Sequence, residues 1–421
     1  MKYIKKLIII PLLIISASNL FSQKLFIQMD LSQTDHLKAY GIVYWALQKG
    51  QTVDWLLNYR SGSFMTDYTN DIANECRIRG VSFETFDNGM AASIVAEVQA
   101  ENVNMDLVKL EKAAKIAVYV QPGMKPWDDA VRMALEYAEV PYDMVWDEEV
   151  LNNKLQEYDW LHLFHEDFTG QYGKFYANYY NSSWYIEQVA LNENMAKKMG
   201  YSKVSKMKLD VALKIKEFVA NGGFLFAMCS ATDSYDIALA SRNIDICAQM
   251  YDGDPADPRA NEKLDFSQTL AFENFQLVMD PYEYEYSNID ITEDTRINEN
   301  SDYFTLFEFS AKYDPVPTML TQDHANVIHG FMGQTTGFRR SVIKKSVTIL
   351  GETDGTDFIR YIHGNLGRGQ FTWFGGHDPE DYRHFVGEEP TDLRLHKNSP
   401  GYRLILNNVL FPSAKKKEQK T

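Results

Sequence analysis

GGFLFAMCSATDSYD, residues Gly222–Asp236, combines the pattern of a buried strand with that of a helix start. Phe224–Met228 is a continuous apolar run, which predicts a strand that is buried on both faces of a parallel sheet. The Ser, Thr and Asp that follow Cys229 predict a helix N-terminus. So tight a turn needs small residues on either side of its centre, and Ala227 and Ala231 are small. The pattern therefore predicts that Cys229 is presented as a reactive group.

The rest of the chain alternates strand-like and helix-like segments, which predicts an α/β fold with a mostly parallel, doubly wound sheet. Strands are predicted at 25–29, 53–57, 81–83, 116–120, 142–146, 160–164, 224–228, 342–350, 357–362 and 370–374. Helices are predicted at 34–48, 68–78, 91–113, 126–138, 148–155, 186–198, 205–220 and 399–410, the last of them amphipathic. The segment 252–300 is rich in Asp, Pro, Asn and Glu, and it is predicted to be a long insertion with some short strands.

The first residues have the composition of a secretory signal peptide. Lysines precede the apolar run Leu7–Ile15, and the small residues Ser16–Ser18 follow it. The apolar run is too short to span a bilayer comfortably. We therefore expect a signal peptide at 1–23 and an exported protein, periplasmic or extracellular, with no membrane span after cleavage. An uncleaved N-terminal anchor is the alternative.

Charge and cysteine content restrict the partners of the protein. The formal net charge is -16, and so acidic a surface repels phosphate backbones, so no nucleic-acid partner is expected. Cys76, Cys229 and Cys247 are the cysteines of the chain. The odd number permits a bridge between Cys76 and Cys247 with Cys229 free, or three buried thiols, and the sequence leaves both open.

Two stretches carry a family resemblance. GGFLFAMCSATDS resembles the nucleophile turn of class I glutamine amidotransferase-like domains, and its ATDS ending is similar to that of the trehalose-utilisation family. GQFTWFGGHDPE, Gly369–Glu380, resembles the last strand and the His-containing turn of both. The resemblance implies a flavodoxin-like domain at 111–412, after an N-terminal α/β segment at 24–110 and before a basic tail at 413–421.

The whole chain also resembles exported Bacteroidetes-type proteins catalogued as asparagine synthetase B. DHLKAYGIVYW and DWLLNYRSGSF, which begin at Asp35 and Asp54, carry this resemblance. ATP-dependent synthesis of asparagine needs an N-terminal Cys nucleophile and a Gly-rich phosphate-binding loop, and the sequence contains neither.

The amidotransferase resemblance implies a catalytic Cys229, His377 and Glu380. A thiol attacks an acyl carbon as thiolate, so it needs an imidazole to take its proton and a carboxylate to orient that imidazole. Further oxyanion-binding or substrate-binding residues are expected at Ser230, His165, Glu166, Asp167 and Asp378. The chain departs from the family where Ala227 and Ala231 replace glycines, where Asp378 lengthens the His–Glu spacing, and where His165, Glu166 and Asp167 replace oxyanion-hole glycines.

The resemblances lead to two functional hypotheses. The first is an exported protein that hydrolyses an amide or related acyl bond through Cys229. The second is a non-catalytic or carbohydrate-binding envelope protein of the trehalose-utilisation type, whose crevice binds a small molecule or glycan. The aromatic loop Tyr172–Tyr185 is expected to cover a sheet edge, with sugar stacking as the alternative. No cofactor is expected, and a metal held by imidazoles and carboxylates at the same edge is the minor alternative.

Overall fold

The computed structural model describes residues 23–125, 129–291, 302–314, 316, 318–330, 333–381 and 389–415. The predicted signal peptide up to residue 22 and the end of the predicted basic tail, 416–421, lie outside these residues. No described helix is both long and apolar enough to cross a membrane.

The N-terminal segment forms its own five-stranded sheet, in the order β4-β1-β3-β2-β5. Every pairing in this sheet is antiparallel. Its strands are β1 (Gln23–Ile27), β2 (Val53–Leu57), β3 (Ser63–Asp67), β4 (Glu84–Asp87) and β5 (Asp106–Leu110). A short connection joins β2 to β3, and Asn58, Arg60, Ser61 and Gly62 in it adopt left-handed backbone conformations.

The second sheet is mixed, in the order β11-β10-β13-β14-β15-β9-β8-β6-β7, with β12 paired to β14. The strands β15, β9, β8, β6 and β7 are parallel, and the remaining pairings are antiparallel. Its strands are β6 (Ile116–Tyr119), β7 (Asp143–Val145), β8 (Trp160–Leu163), β9 (Phe224–Met228), β10 (Tyr303–Leu306), β11 (Val327–His329), β12 (Phe338–Arg339), β13 (Thr348–Glu352), β14 (Phe358–Leu366) and β15 (Gly369–Phe374).

Eleven α-helices accompany these sheets in the described part of the chain. They are α1 (His36–Gln48), α2 (Asn70–Arg79), α3 (Asn88–Gln99), α4 (Ala130–Ala138), α5 (Asp147–Leu151), α6 (Tyr176–Tyr179), α7 (Ser183–Lys198), α8 (Val204–Ala220), α9 (Ala231–Ala240), α10 (Gln249–Asp252) and α11 (Pro400–Leu410).

The predicted α/β class is confirmed. The prediction of a mostly parallel sheet holds for five strands of the mixed sheet only, because the other strand pairs in both sheets are antiparallel. Short connections such as β2 to β3 and β14 to β15 return the chain beside itself, which produces antiparallel pairs. The insertion contributes isolated bridges, such as Phe272 to Ile343, instead of the expected short strands over its described part, 252–291.

One hydrophobic core joins the two sheets. It contains Trp55 of the first sheet, Phe226 of the second, and side chains of α1, α4 and α11 that contact one another. A second core lies on the other face of the mixed sheet, where Leu225 and Trp373 pack with residues of α8 and α9. Strand β9 is therefore covered on both faces, and chemistry there is confined to the carboxyl ends of the parallel strands.

Two predicted helices differ from the observed ones. The helix predicted at 91–113 ends at Gln99, because Asp106–Leu110 pairs with β2 as strand β5. The closing helix is confirmed in position, but every residue of α11 after Pro400 is buried, so the helix is not amphipathic. Its polar residues are hydrogen-bonded inside the protein: Arg403 donates to the Met29 carbonyl and Asn407 donates to the Gln322 carbonyl.

Buried His363 makes the stability sensitive to acid. Its ring is 1% exposed in β14, 3.0 Å from Thr372 Oγ1, and burial lowers its pKa from 6.5 to about 4. The unfolded chain therefore binds this proton more readily than the folded chain, and stability falls as pH drops from about 6.5 to about 4. The loss amounts to about 3 kcal/mol at most.

We expect His363→Phe to flatten the decline of unfolding free energy between pH 6.5 and pH 4, measured by urea denaturation at several pH values. Thr372→Val removes the hydrogen-bond partner and keeps the titrating ring, so this control should retain the steep decline. Parallel pH profiles for wild type and His363→Phe would contradict the assignment.

Candidate functional site

Cys229 lies at the predicted strand–helix turn. Strand β9 ends at Met228 and α9 begins at Ala231, so Cys229 and Ser230 form the whole connection. The φ of Cys229 is 51°, in the left-handed region that costs a residue with a side chain about 1–2 kcal/mol. Its backbone N–H donates to the Gly376 carbonyl at 3.0 Å, which ties the turn to the end of β15. Strain held in this way is common at functional sites.

The sulfur of Cys229 is buried and surrounded by backbone donors. The residue is 1% exposed, and the N–H groups of Thr335, Ser230 and Gln334 point at the sulfur. Burial raises the pKa of the thiol to about 11, against the opposite effect of these donors. The resting residue is therefore a thiol at neutral pH, and a base must take its proton before it can attack.

His377 lies beside Cys229, with Gly333 between them. A methyl group on Gly333 would stand 3.3 Å from Cys229 Sγ and 2.8 Å from His377 Cβ. The His377 ring is 6% exposed, packs edge-on against Phe164 at 4.5 Å, and lies parallel to the His165 ring at 6.1 Å. The structure thus places the predicted nucleophile and the predicted base around one glycine.

Glu380 and Asp378 occupy the turn after β15. The Glu380 carboxylate lies 3.0 Å from His396 Nδ1, and the Glu380 backbone N–H donates to Asp378. Asp378 also accepts a hydrogen bond from Thr391 Oγ1 at 2.8 Å, and burial raises the pKa of Asp378. The role of Glu380 as the group that orients His377 stays a prediction.

The segment His165–Asp167 follows β8 at the carboxyl ends of the parallel strands, and hydroxyl groups at the start of α9 hold its backbone. Ser230 Oγ donates to the His165 carbonyl at 3.2 Å, and Ser234 Oγ donates to the Glu166 carbonyl at 2.8 Å. Burial raises the pKa of Glu166, with Lys208 and His165 acting in the opposite direction. Asp167 accepts the N–H groups of Thr169 and Gly173, so its carboxylate shapes its own loop.

The loop Gly333–Gly337 is the part of the site that the sequence analysis missed. It supplies two of the three N–H groups around the Cys229 sulfur. Asp290 Oδ1 accepts the Thr336 N–H at 3.0 Å, and Arg360 Nη1 donates to the Thr336 carbonyl at 2.8 Å. Its sequence, GQTTG, is a turn signal of two glycines around polar residues, and this was the available clue.

A buried carboxyl group lies under this loop. Asp233 is fully buried, and Thr335 Oγ1 donates to it at 3.3 Å. Burial raises the pKa of Asp233 well above its usual range, and the nearby Asp290 adds to the effect. Asp233 is therefore protonated more readily than an exposed aspartate, and where it is ionised its charge raises the pKa of the Cys229 thiol further.

Asp245, Cys247 and Asp252 are the residues with metal-like spacing in the described part of the chain. Their ligand atoms lie within 4.8 Å of one another. The Lys203 ammonium lies among them, 2.7 Å from Asp245 and 2.9 Å from Asp252, so both carboxylates of the cluster are already paired with a lysine. All three cysteines of the chain are free and buried, which decides between the two alternatives left by the sequence.

Comparisons with known proteins give no family for this chain. No protein-family model and no curated protein matches it. Among solved structures, it is similar to two cytoplasmic proteins of Salmonella typhimurium, with 11% and 12% identity and TM-scores of 0.35 and 0.36. In each case 72% of this chain and 100% of the other are covered.

A β-galactosidase of family GH42, Gan42B, is also similar, with 12% identity and a TM-score of 0.27 over 69% of this chain and 31% of that one. Likenesses this weak carry no weight for the activity of the chain.

Proposed function

We propose that the protein is a thiol-dependent hydrolase or transferase that acts on an amide or related acyl bond, with Cys229 as nucleophile. The observation that carries this proposal is the strained Cys229 backbone, which holds the sulfur among three N–H donors and next to His377. An inert structural cysteine has no need of a left-handed turn, since a glycine there would relieve the strain.

The chemistry follows from the groups around the sulfur. His377 takes the thiol proton while the sulfur attacks the acyl carbon, and the carbonyl oxygen becomes an oxyanion. Backbone N–H groups of Ser230 and of the Gly333–Gly337 loop stabilise that oxyanion. The C–N bond then breaks, His377 returns the proton to the leaving amine, and water hydrolyses the thioester with His377 as base.

We infer that the parallel strands form a doubly wound, flavodoxin-like unit. Counted along the chain from β6, the order β7-β6-β8-β9-β15 corresponds to 2-1-3-4-5, the order typical of such folds. Open α/β sheets of this kind bind ligands outside the carboxyl ends of their strands, where Cys229, His165 and His377 lie. This order supports the resemblance to class I glutamine amidotransferase-like domains.

A second candidate function is a non-catalytic, carbohydrate-binding role. The burial of the Cys229 sulfur and its raised pKa favour this alternative, because a thiol that stays covered and protonated does no chemistry. For either function we propose export, on the basis of the N-terminal sequence, and N-terminal sequencing of the mature protein tests it.

Alkylation of the native protein tests the nucleophile. We expect iodoacetamide at pH 7.5 to modify Cys229 at least tenfold faster than Cys76 or Cys247, which are buried thiols in the same chain. His377→Gln should slow the reaction of Cys229 by roughly 10²-fold, because the base is lost. Peptide mass spectrometry over time measures all three rates in one sample.

Gly333→Ala is the matched steric variant. Its methyl group would fill the space between Cys229 and His377, so Cys229 labelling should fall while the other two cysteines react as before. Ammonia release from L-glutamine and other small primary amides provides the turnover assay, and Cys229→Ala should abolish it. If Cys229 reacts no faster than Cys76 and Cys247, the catalytic proposal fails and the binding role remains.

A further inference from the structure

Four aromatic rings form a cluster next to the Cys229 turn, and we name this cluster the aromatic patch. The Phe175 ring lies at its centre, 5.9 Å from Tyr179, 5.3 Å from Trp184 and 5.5 Å from Tyr284. Trp184 is 37% exposed and Tyr284 is 39% exposed. Large aromatic side chains that are exposed together, rather than singly, mark a binding surface more often than a cover for a sheet edge.

Gln334 connects the aromatic patch to the site. Its backbone N–H points at the Cys229 sulfur, and its side-chain amide donates to the carbonyls of Gly173 at 3.0 Å and Tyr284 at 3.1 Å. Gly173 lies two residues before Phe175, so one side chain fixes both halves of the patch relative to the nucleophile. A ligand stacked on Trp184 or Tyr284 therefore lies at the rim of the Cys229 site.

The charges around the patch restrict its ligand. Glu283, Asp280 and Asp167 lie close to Lys174, whose ammonium donates inward to the Val278 and Asp280 carbonyls at 3.0 Å and 2.9 Å. These carboxylates lie beside the patch, because Lys174 directly precedes Phe175, and Lys174 itself is 1% exposed and turned away from solvent. Such a surface repels anions and accepts hydrogen bonds from hydroxyl groups.

We propose that the aromatic patch is a saccharide subsite, in which a neutral pyranose ring stacks on Trp184 and Tyr284. The apolar C–H face of a sugar packs against an aromatic ring, and its hydroxyl groups donate to nearby carboxylates. This assignment of the substrate rests on the proposed function. Together they indicate a substrate in which a neutral glycan carries the amide or related acyl bond.

Calorimetric titration tests the subsite with three named probes: cellotriose and N,N′,N″-triacetylchitotriose, which are neutral, and trigalacturonate, which is anionic. We expect at least one neutral trisaccharide to bind and trigalacturonate to bind at least tenfold more weakly. The double substitution Trp184→Ala with Tyr284→Ala should lower the affinity for the neutral sugar by roughly tenfold or more. Tyr313→Ala, at a tyrosine that is 59% exposed outside the patch, should leave binding unchanged.

The subsite is refuted if neither neutral sugar binds, if trigalacturonate binds as tightly as the neutral sugars, or if the double variant binds like wild type. Cys229→Ala should keep full sugar affinity, because it removes the nucleophile and leaves the patch. Fast Cys229 alkylation without sugar binding would overturn the subsite alone. Sugar binding with an unreactive Cys229 would support the subsite and overturn the acyl-transfer chemistry.

Discussion

Asp236→Ala is expected to destabilise the protein by about 3–5 kcal/mol, because it removes the carboxylate that accepts hydrogen bonds from three buried N–H groups. The carboxylate of Asp236 is fully buried on α9. It accepts hydrogen bonds from Leu270 at 2.6 Å, Ala271 at 2.8 Å and Phe272 at 2.9 Å. Burial raises the pKa of Asp236 to about 6 against these donors, so the group is still largely ionised at pH 7.

Urea denaturation at pH 7.5 measures the total loss, and hydrogen exchange at the amides of residues 270–272 locates it. Asp236→Asn keeps one acceptor oxygen, so it should cost about half as much as the alanine variant. Asp265→Ala is the matched control: Asp265 is an exposed carboxylate that also caps backbone and side-chain donors, at Ser267. An Asp236→Ala variant as stable as the control would show that the insertion is held by its apolar contacts alone.

The turn at Cys229 could be predicted from the sequence because its determinants are local. An apolar run, small flanking residues and helix-capping residues all stand within Gly222–Asp236, and each acts on its own neighbours. The same holds for most strands of the mixed sheet. The antiparallel N-terminal sheet could not be predicted in this way, because strand direction depends on which strands pair across long separations.

The surroundings of the sulfur could not be predicted, for a physical reason. The groups that face Cys229 from Gln334 and Thr335 are backbone N–H groups, which every residue except proline carries, so side-chain patterns give no sign of them. The prediction that the closing helix is amphipathic was wrong for a related reason. Arg403 and Asn407 are polar in sequence, but their partners, at Met29 and Gln322, are remote in the chain.

Lys208→Met is expected to cost about 3–5 kcal/mol of unfolding free energy, because it leaves a buried carboxylate without its cation. Lys208 of α8 is 3% exposed and Asp147 of α5 is fully buried, and the Lys208 ammonium lies 3.0 Å from the Asp147 carboxylate. The ammonium also donates to the Tyr119 hydroxyl at 3.0 Å, and this hydroxyl donates to Asp147. The pair therefore links β6, α5 and α8 behind the sheet edge that carries Glu166.

Equilibrium denaturation in urea measures the effect, and a double variant separates charge from packing. Combining Lys208→Met with Asp147→Asn removes both charges and keeps an acceptor for Tyr119, so most of the lost stability should return. Lys214→Met on the same helix is the control, because Lys214 is partly exposed and its ion pair with Glu217 is worth at most about 0.5 kcal/mol. If Lys208→Met lowers the unfolding free energy no more than Lys214→Met does, water must reach the Asp147 carboxylate. The buried ion pair behind Glu166 would then be open to solvent.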